Sequence, residues 1–250
     1  MDRHRHAITL IELVATIVVL AVAAATLAPA LAEVRRRGKD TMCLQNLSRI
    51  AQASIVYAAQ DPDEQAIPVH PVIAEESLGA FKAHVATLTY GGKSGRGPWD
   101  GNEWYWGTPL GRGPASRPMN HILYKGGFPN YAPPPYGDYT YGDILERSRS
   151  DQNLDLSAYH CPSDGGYTGL NWTQWRDSGL SSYDYFGTSY HANAMWCSNG
   201  SELATNAAFL RPLSQVPNPA NTVYYMEHCG RLTWLVEPEE IGRASCRERV

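Results

Sequence analysis

No Cys-x-x-Cys pair occurs in the 250 residues, and cysteines number only five. The closely spaced thiols of common structural zinc sites are therefore missing. Basic charge is not in excess: 21 Lys and Arg stand against 25 Asp and Glu. That balance argues against a nucleic-acid partner. Two nucleotide- and ester-directed signatures each fail at one residue. "GGKS" (Gly91–Ser94) ends like a phosphate-binding loop, but Thr87 stands where its first glycine is required. "GTSYH" (Gly187–His191) carries His191 in place of the second glycine of a nucleophile elbow. There is no triad or metal-ligand motif and no fixed-period repeat. We expect no enzyme and no cofactor.

What is present bounds the class. Hydrophobic residues make up 43% and charged residues 18%, enough for one sizeable core or two small ones and too apolar for bulk disorder. With 15 Tyr, 7 Trp, 22 Gly and 17 Pro, the body is expected to be loop-rich and β-leaning, anchored by aromatics. The last stretch stands apart. "EIGRASCRERV" (Glu240–Val250) resembles one reading frame of a common sequencing adapter over eleven consecutive residues. We take Ile241–Val250 as such a scar and expect the natural chain to continue past Glu239. Setting those ten residues aside moves the net charge from -4 to -6 and leaves Cys43, Cys161, Cys197 and Cys229. Four cysteines in an exported chain favour disulfides, with three connectivities open. The pairing we put first joins Cys43 to Cys161 and leaves Cys197 for Cys229.

The chain opens with a short basic segment, Met1–Ala7. Ile8–Ala32 is then apolar except for Thr9, Glu12, Thr16, Thr26 and Pro29. As a helix it is about 37 Å long and spans a bilayer. Arg35–Arg37 and Lys39 form a polar collar. Leu44, Leu47, Ala51, Ser54, Ile55 and Ala58 then recur at helical spacing, which predicts one continuous rod ending near Asp61-Pro62, with Pro29 and Gly38 as bend points. Beyond it, residues 89–145 read as loops and short strands. "MNHILYKGG" predicts a short helix ended by glycine, and "YHCPSDGG" a turn. "SYDYFGTSYHANAMWC" and "NTVYYMEHC" predict the strands. The expected fold is α+β: a long N-terminal transmembrane and amphipathic helix carrying a loop-rich head with an antiparallel sheet. The expected boundaries are 1–7 leader, 8–60 helix (8–32 transmembrane), 61–240 head, truncated, and 241–250 scar.

Glu12 needs an explanation, because a carboxylate in hydrocarbon costs roughly 2.5–3.5 kcal/mol or more. The segment "AITLIEL" around it resembles the cleavage and methylation site of type IV prepilins and type II secretion pseudopilins. That resemblance implies cleavage between Ala7 and Ile8 and N-methylation of Ile8, both by a prepilin peptidase. It also implies that Glu12 meets the amino terminus of a neighbouring subunit in a filament. The leader ends in Ala7 rather than glycine, and the mature chain begins with Ile8 rather than phenylalanine. Pro29, twenty-one residues after Ile8, sits where pilin helices often carry a proline kink. "CLQNLSRIAQASIVYA" is similar to the segment after the membrane helix in large-headed, planctomycete-type members, through Cys43, Asn46, Leu47, Ile50 and Ala53. "YHCPSD" (Tyr159–Asp164) and "VPNPANTVYYME" (Val216–Glu227) resemble parts of those heads. The implied setting is a single-pass bacterial inner-membrane protein with a periplasmic head, whose partners are other pilin subunits.

Other readings stay in view. Ala30-Leu31-Ala32 is a signal-peptidase signature, which would release or anchor a secreted glycan-binding protein. Trp99, Trp104 and Trp106 would then form the sugar platform; core or loop packing is the simpler reading. His160, Cys161, His191, His228 and Cys229 offer zinc ligands, and Asp164, Asp184 and Glu227 offer calcium ligands, without a spaced loop for either. The collar cations outnumber Arg3 and Arg5, so positive-inside counting alone favours the reverse orientation; the motif is the more specific signal.

Overall fold

The computed structural model describes residues 10–74, 86–97, 106–128, 141–166, 173–192, 197–198, 202–203, 211–216 and 224–227. The chain divides into two compact units, Met1–Met42 and Cys43–Val250. Helix α1, Leu10–Ala58, is 49 residues long and runs through Pro29 and Gly38 without interruption. Pro29 removes one helical hydrogen bond, the one Ala25 would accept. Among the described residues the first unit is this helix alone, and its large apolar side chains are exposed on every side: Leu10, Ile11, Val19, Leu20, Val22 and Leu27 are examples. A helix apolar all round is long and apolar enough to cross a membrane. Its threonines need no outside partner. The Thr16 hydroxyl donates to the Glu12 and Leu13 carbonyls and Thr26 to Ala23, at 2.8–2.9 Å.

In the second unit the helix buries Cys43, Asn46, Ile50, Ala53, Ser54 and Ala58. The expected stripe is corrected here: Leu44 and Ile55 are exposed, at 67% and 57%, and the buried face lies roughly a quarter-turn away. Polarity misleads at Asn46 and Ser54, because both are buried with their hydrogen bonds made. The helix ends at Ala58, with the turn at 59–63 bringing Asp61 to cap Gln65 N–H at 2.9 Å.

The rest of this unit is short elements on an aromatic core. Helices α2 (Pro71–Ala74), α3 (Asn120–Leu123), α4 (Tyr141–Gln152), α5 (Thr173–Ser178) and α6 (Ser182–Phe186) precede or interleave four strands: β1 (Tyr190–Ala192), β2 (Cys197–Ser198), β3 (Glu202–Leu203) and β4 (Tyr225–Glu227). β1 pairs antiparallel with β4 in the register Tyr190–Glu227, His191–Met226, Ala192–Tyr225, and β2 pairs antiparallel with β3. The content is α+β with small antiparallel sheets. The predicted strand beginning at Ser182 is instead helix α6 up to Phe186. Ser181 caps it by accepting the Asp184 N–H, and left-handed Gly187 stops it; the strand starts only at Tyr190. No strand occurs among the described residues of 89–145, which are loop and helix.

Trp106, Trp175, Tyr185, Phe186, Tyr90 and Tyr225 fill the core. Phe186 is its centre, with Trp106, Trp175 and Tyr185 ring centroids 5.2, 5.1 and 4.7 Å away at edge-on angles. The segment 86–97 threads this core. It crosses the α6–β1 loop where two glycines meet: Gly92 and Gly187 have φ of 102° and 93°. A Cβ on Gly92 would strike the Gly187 carbonyl, and one on Gly187 the Lys93 carbonyl. That contact lets the Lys93 N–H bond the Gly187 carbonyl at 3.0 Å.

Candidate functional site

Two regions hold the residues singled out from sequence. On the first, Glu12 lies in the first turn of α1 and is solvent-exposed. It is the one ionisable side chain between residues 10 and 32. Ala7 and Ile8 lie outside the described residues. At about 100° per residue, Glu12, Thr16, Val19, Ala23, Thr26 and Ala30 fall within about 40° of one line along the helix. That line carries the carboxylate at its head, then two threonines and two alanines, with Val19 as its one large side chain. Further along, the collar sorts itself into pairs. Glu33 accepts from Arg36 at 2.8 Å and Arg37 at 2.7 Å, and Asp40 accepts from Arg36 at 3.2 Å. The hydrogen bonds from Arg36 and Arg37 hold the Glu33 carboxyl well below its ordinary range.

The second region is a junction in the other unit between α1 and the 157–164 loop. Cys43 and Cys161 form a disulfide with Cα atoms 5.2 Å apart. One helical turn on, the Asn46 amide donates to the Ser157 and His160 carbonyls at 2.9 and 3.0 Å and reaches the Tyr190 hydroxyl at 3.3 Å. The "YHCPSD" turn closes with the Asp164 N–H on the Cys161 carbonyl at 2.9 Å. The Asp164 carboxylate then accepts from Gly166, Ser182 and Tyr183 N–H and from the Ser189 hydroxyl. Through the Ser182 and Tyr183 N–H groups it caps the start of α6.

The ligand candidates are mostly spent elsewhere. Asp164 has this cap. Asp184 pairs with Lys93 at 2.6 Å. The Glu227 carboxylate lies 3.7 Å from the Cys161 sulfur. Among the described residues the one group of three metal-capable side chains is Cys43, Cys161 and Glu227, and two of these are joined as the disulfide. His160 stacks on Tyr183 at 4.4 Å, and His191 faces Thr87 at 3.3 Å. Trp106 is fully buried, which removes it from any exposed sugar platform; with Trp175 it is one of the two largest wholly buried side chains of the core. Trp99, Trp104, His228 and Cys229 lie outside the described residues. Cys197 opens β2.

Three arrangements escaped the sequence reading. Arg117 is wholly buried and donates to five backbone carbonyls: Arg112, Leu88, Gly91, Trp106 and Phe186. Burial lowers its pKa to about 10, so it stays charged. His70 Nε2 meets Ser116 Oγ at 2.8 Å, but Nδ1 accepts the Val72 N–H. The neutral ring therefore carries its proton on Nε2 and donates to the serine, the wrong tautomer for a general base. Burial first, then Arg117 and Arg112, lower its pKa to about 3. This group favours folding above about pH 6.5, and that stability is lost as pH falls toward 3.

Asp151 is the third. Burial lifts its carboxyl to about 6 from an ordinary 3.8, against the Thr108 hydroxyl it accepts at 2.6 Å. A raised carboxyl stabilises the fold below the ordinary value and costs stability as pH climbs through 6. Asp151→Asn is expected to gain about 1–3 kcal/mol at pH 7 and nothing at pH 4, measured by denaturant unfolding at both. An equal effect at the two values would refute the assignment.

Compared with known proteins, the chain matches no family model, no curated protein and no solved structure.

Proposed function

We propose that this chain is a structural, non-enzymatic subunit of pilin or pseudopilin type. In this reading it is anchored in the inner membrane with its head outside the cytoplasm. A prepilin peptidase cleaves it between Ala7 and Ile8 and methylates Ile8. It then joins other such subunits in a filament serving type II secretion or a related pilus.

The observation that carries the reading is Glu12: one carboxylate, in the first turn of a helix that is apolar on every side. Thr16 and Thr26 satisfy their hydroxyls within their own helix. In a bundle of staggered helices the Glu12 carboxylate pairs with the amino terminus of Ile8 from a neighbour, which turns two costly charges into one site and sets register. The small residues behind it on the same face allow close helix approach. The Cys43–Cys161 disulfide agrees with an oxidising compartment for the head.

Mass spectrometry of the mature N-terminus is expected to find N-methyl-Ile8. A start at Glu33 would instead support the secreted, signal-peptide reading. Glu12→Ala should leave membrane insertion intact and lower filament yield on the order of a hundredfold, equivalent to about 3 kcal/mol for a broken buried pair. Normal assembly of that variant, scored by shearing and electron microscopy, would remove the role given to the carboxylate.

A further inference from the structure

The collar carries four cations, but they are not alike. Arg36 and Arg37 are engaged by Glu33, and Arg36 also by Asp40. Among the described residues no ion pair involves Arg35 or Lys39. The two groups also face different ways. Glu33, Arg36, Arg37 and Asp40 share an arc of about 100°, whereas Arg35 and Lys39 lie within about 40° of each other on the other flank. They are one turn apart, about 6 Å along the axis, and both are exposed. Directly before them, residues 13–32 hold no ionisable side chain. If that run fills the hydrocarbon, Arg35 and Lys39 emerge at the depth of the phosphates.

We propose that Arg35 and Lys39 form a two-pronged contact for the phosphate of an anionic phospholipid at the surface where α1 leaves the bilayer. Arg35 offers a planar fork to two phosphate oxygens, and Lys39 a point charge to the same group or the next. The paired flank is close to neutral and contributes little. The lipid contact is thus directional: it fixes which side of the helix faces lipid headgroups and leaves the Glu33–Arg36–Arg37 side for protein. This rests on the membrane-spanning reading, and the test separates the two.

The full chain is reconstituted into phosphatidylcholine vesicles doped with spin-labelled phosphatidylglycerol or spin-labelled phosphatidylcholine. The motionally restricted fraction gives the relative association constant. The wild type should prefer the anionic lipid several-fold, with a ceiling on the order of fivefold per cation. Excess inorganic phosphate at matched ionic strength should not compete, and 1 M salt should abolish the preference. Arg35→Gln with Lys39→Gln should bring the constant to one. Arg36→Gln removes the same kind of charge from the paired flank and should keep the preference. An unchanged constant in the double variant, or an equal loss in Arg36→Gln, overturns the proposal while the membrane reading stands. Failure of the wild type to incorporate into either vesicle overturns both.

Discussion

Arg117→Ala is expected to abolish the folded head. The guanidinium has five N–H donors, and five backbone carbonyls from separate parts of the loop-rich core receive them. Residue 117 is fully buried, so water cannot replace the lost donors. An orphaned buried carbonyl costs about 1–3 kcal/mol; the Trp106 carbonyl keeps the Gly95 N–H, and the other four together approach the whole stability of an ordinary domain, about 5–15 kcal/mol. Part of that loss is offset, because the charge no longer has to be desolvated. Arg117→Met separates the causes: it fills most of the space, satisfies no carbonyl, and should still fail. Arg117→Lys brings three donors without the fork and should fall between. Near-UV circular dichroism and limited proteolysis of the full chain in detergent provide the measurement. A wild-type unfolding midpoint for Arg117→Ala would show that these carbonyls find other partners.

Replacing Cys43 and Cys161 by serine is expected to cost about 5 kcal/mol, because the bond closes a loop of 118 residues. Asn46→Ala removes the amide that holds the Ser157 and His160 carbonyls and should cost about 2–4 kcal/mol. Both changes release the same loop, 157–161, from the same helix face. Their effects should therefore fall short of additive by 0.5 kcal/mol or more, on the order expected for contacting residues. Denaturant curves of the oxidised and reduced wild type and of the three variants would show this. If Asn46→Ala were as costly in the reduced protein as in the oxidised one, the two contacts would be acting independently.

The junction also shows how far local pattern reached. Cys43, Asn46, Leu47, Ile50 and Ala53 form a spaced set in the sequence, and all five are buried or half-buried on α1. Hydropathy alone chose a different stripe, with Leu44 and Ile55, because it counts a buried asparagine as surface. "YHCPSD" was legible as a turn from its proline, serine and aspartate. That its aspartate would cap α6, eighteen residues away at Ser182, was not. "SYDYF" carries β-forming aromatics, yet a serine cap and a following left-handed glycine made it a helix. In so short an element, end chemistry outweighs a propensity spread over five residues.

Composition and periodicity along the chain were sufficient for the long apolar helix, the lone Glu12 in its first turn, the basic collar and the α+β character of the body. Each depends on neighbours within a few residues, and helix and membrane preferences are summed over such windows. Spatial pairing was needed for the rest. It joined Cys43 to Cys161, placed Arg117 under five carbonyls, lifted Asp151, turned His70 to the tautomer that cannot act as a base toward Ser116, and divided four equivalent-looking cations into two held in ion pairs and two that make none among the described residues. Those properties come from burial and from partners distant in sequence, and the free energy of a charge or an amide depends on what surrounds it, not on its place in the chain.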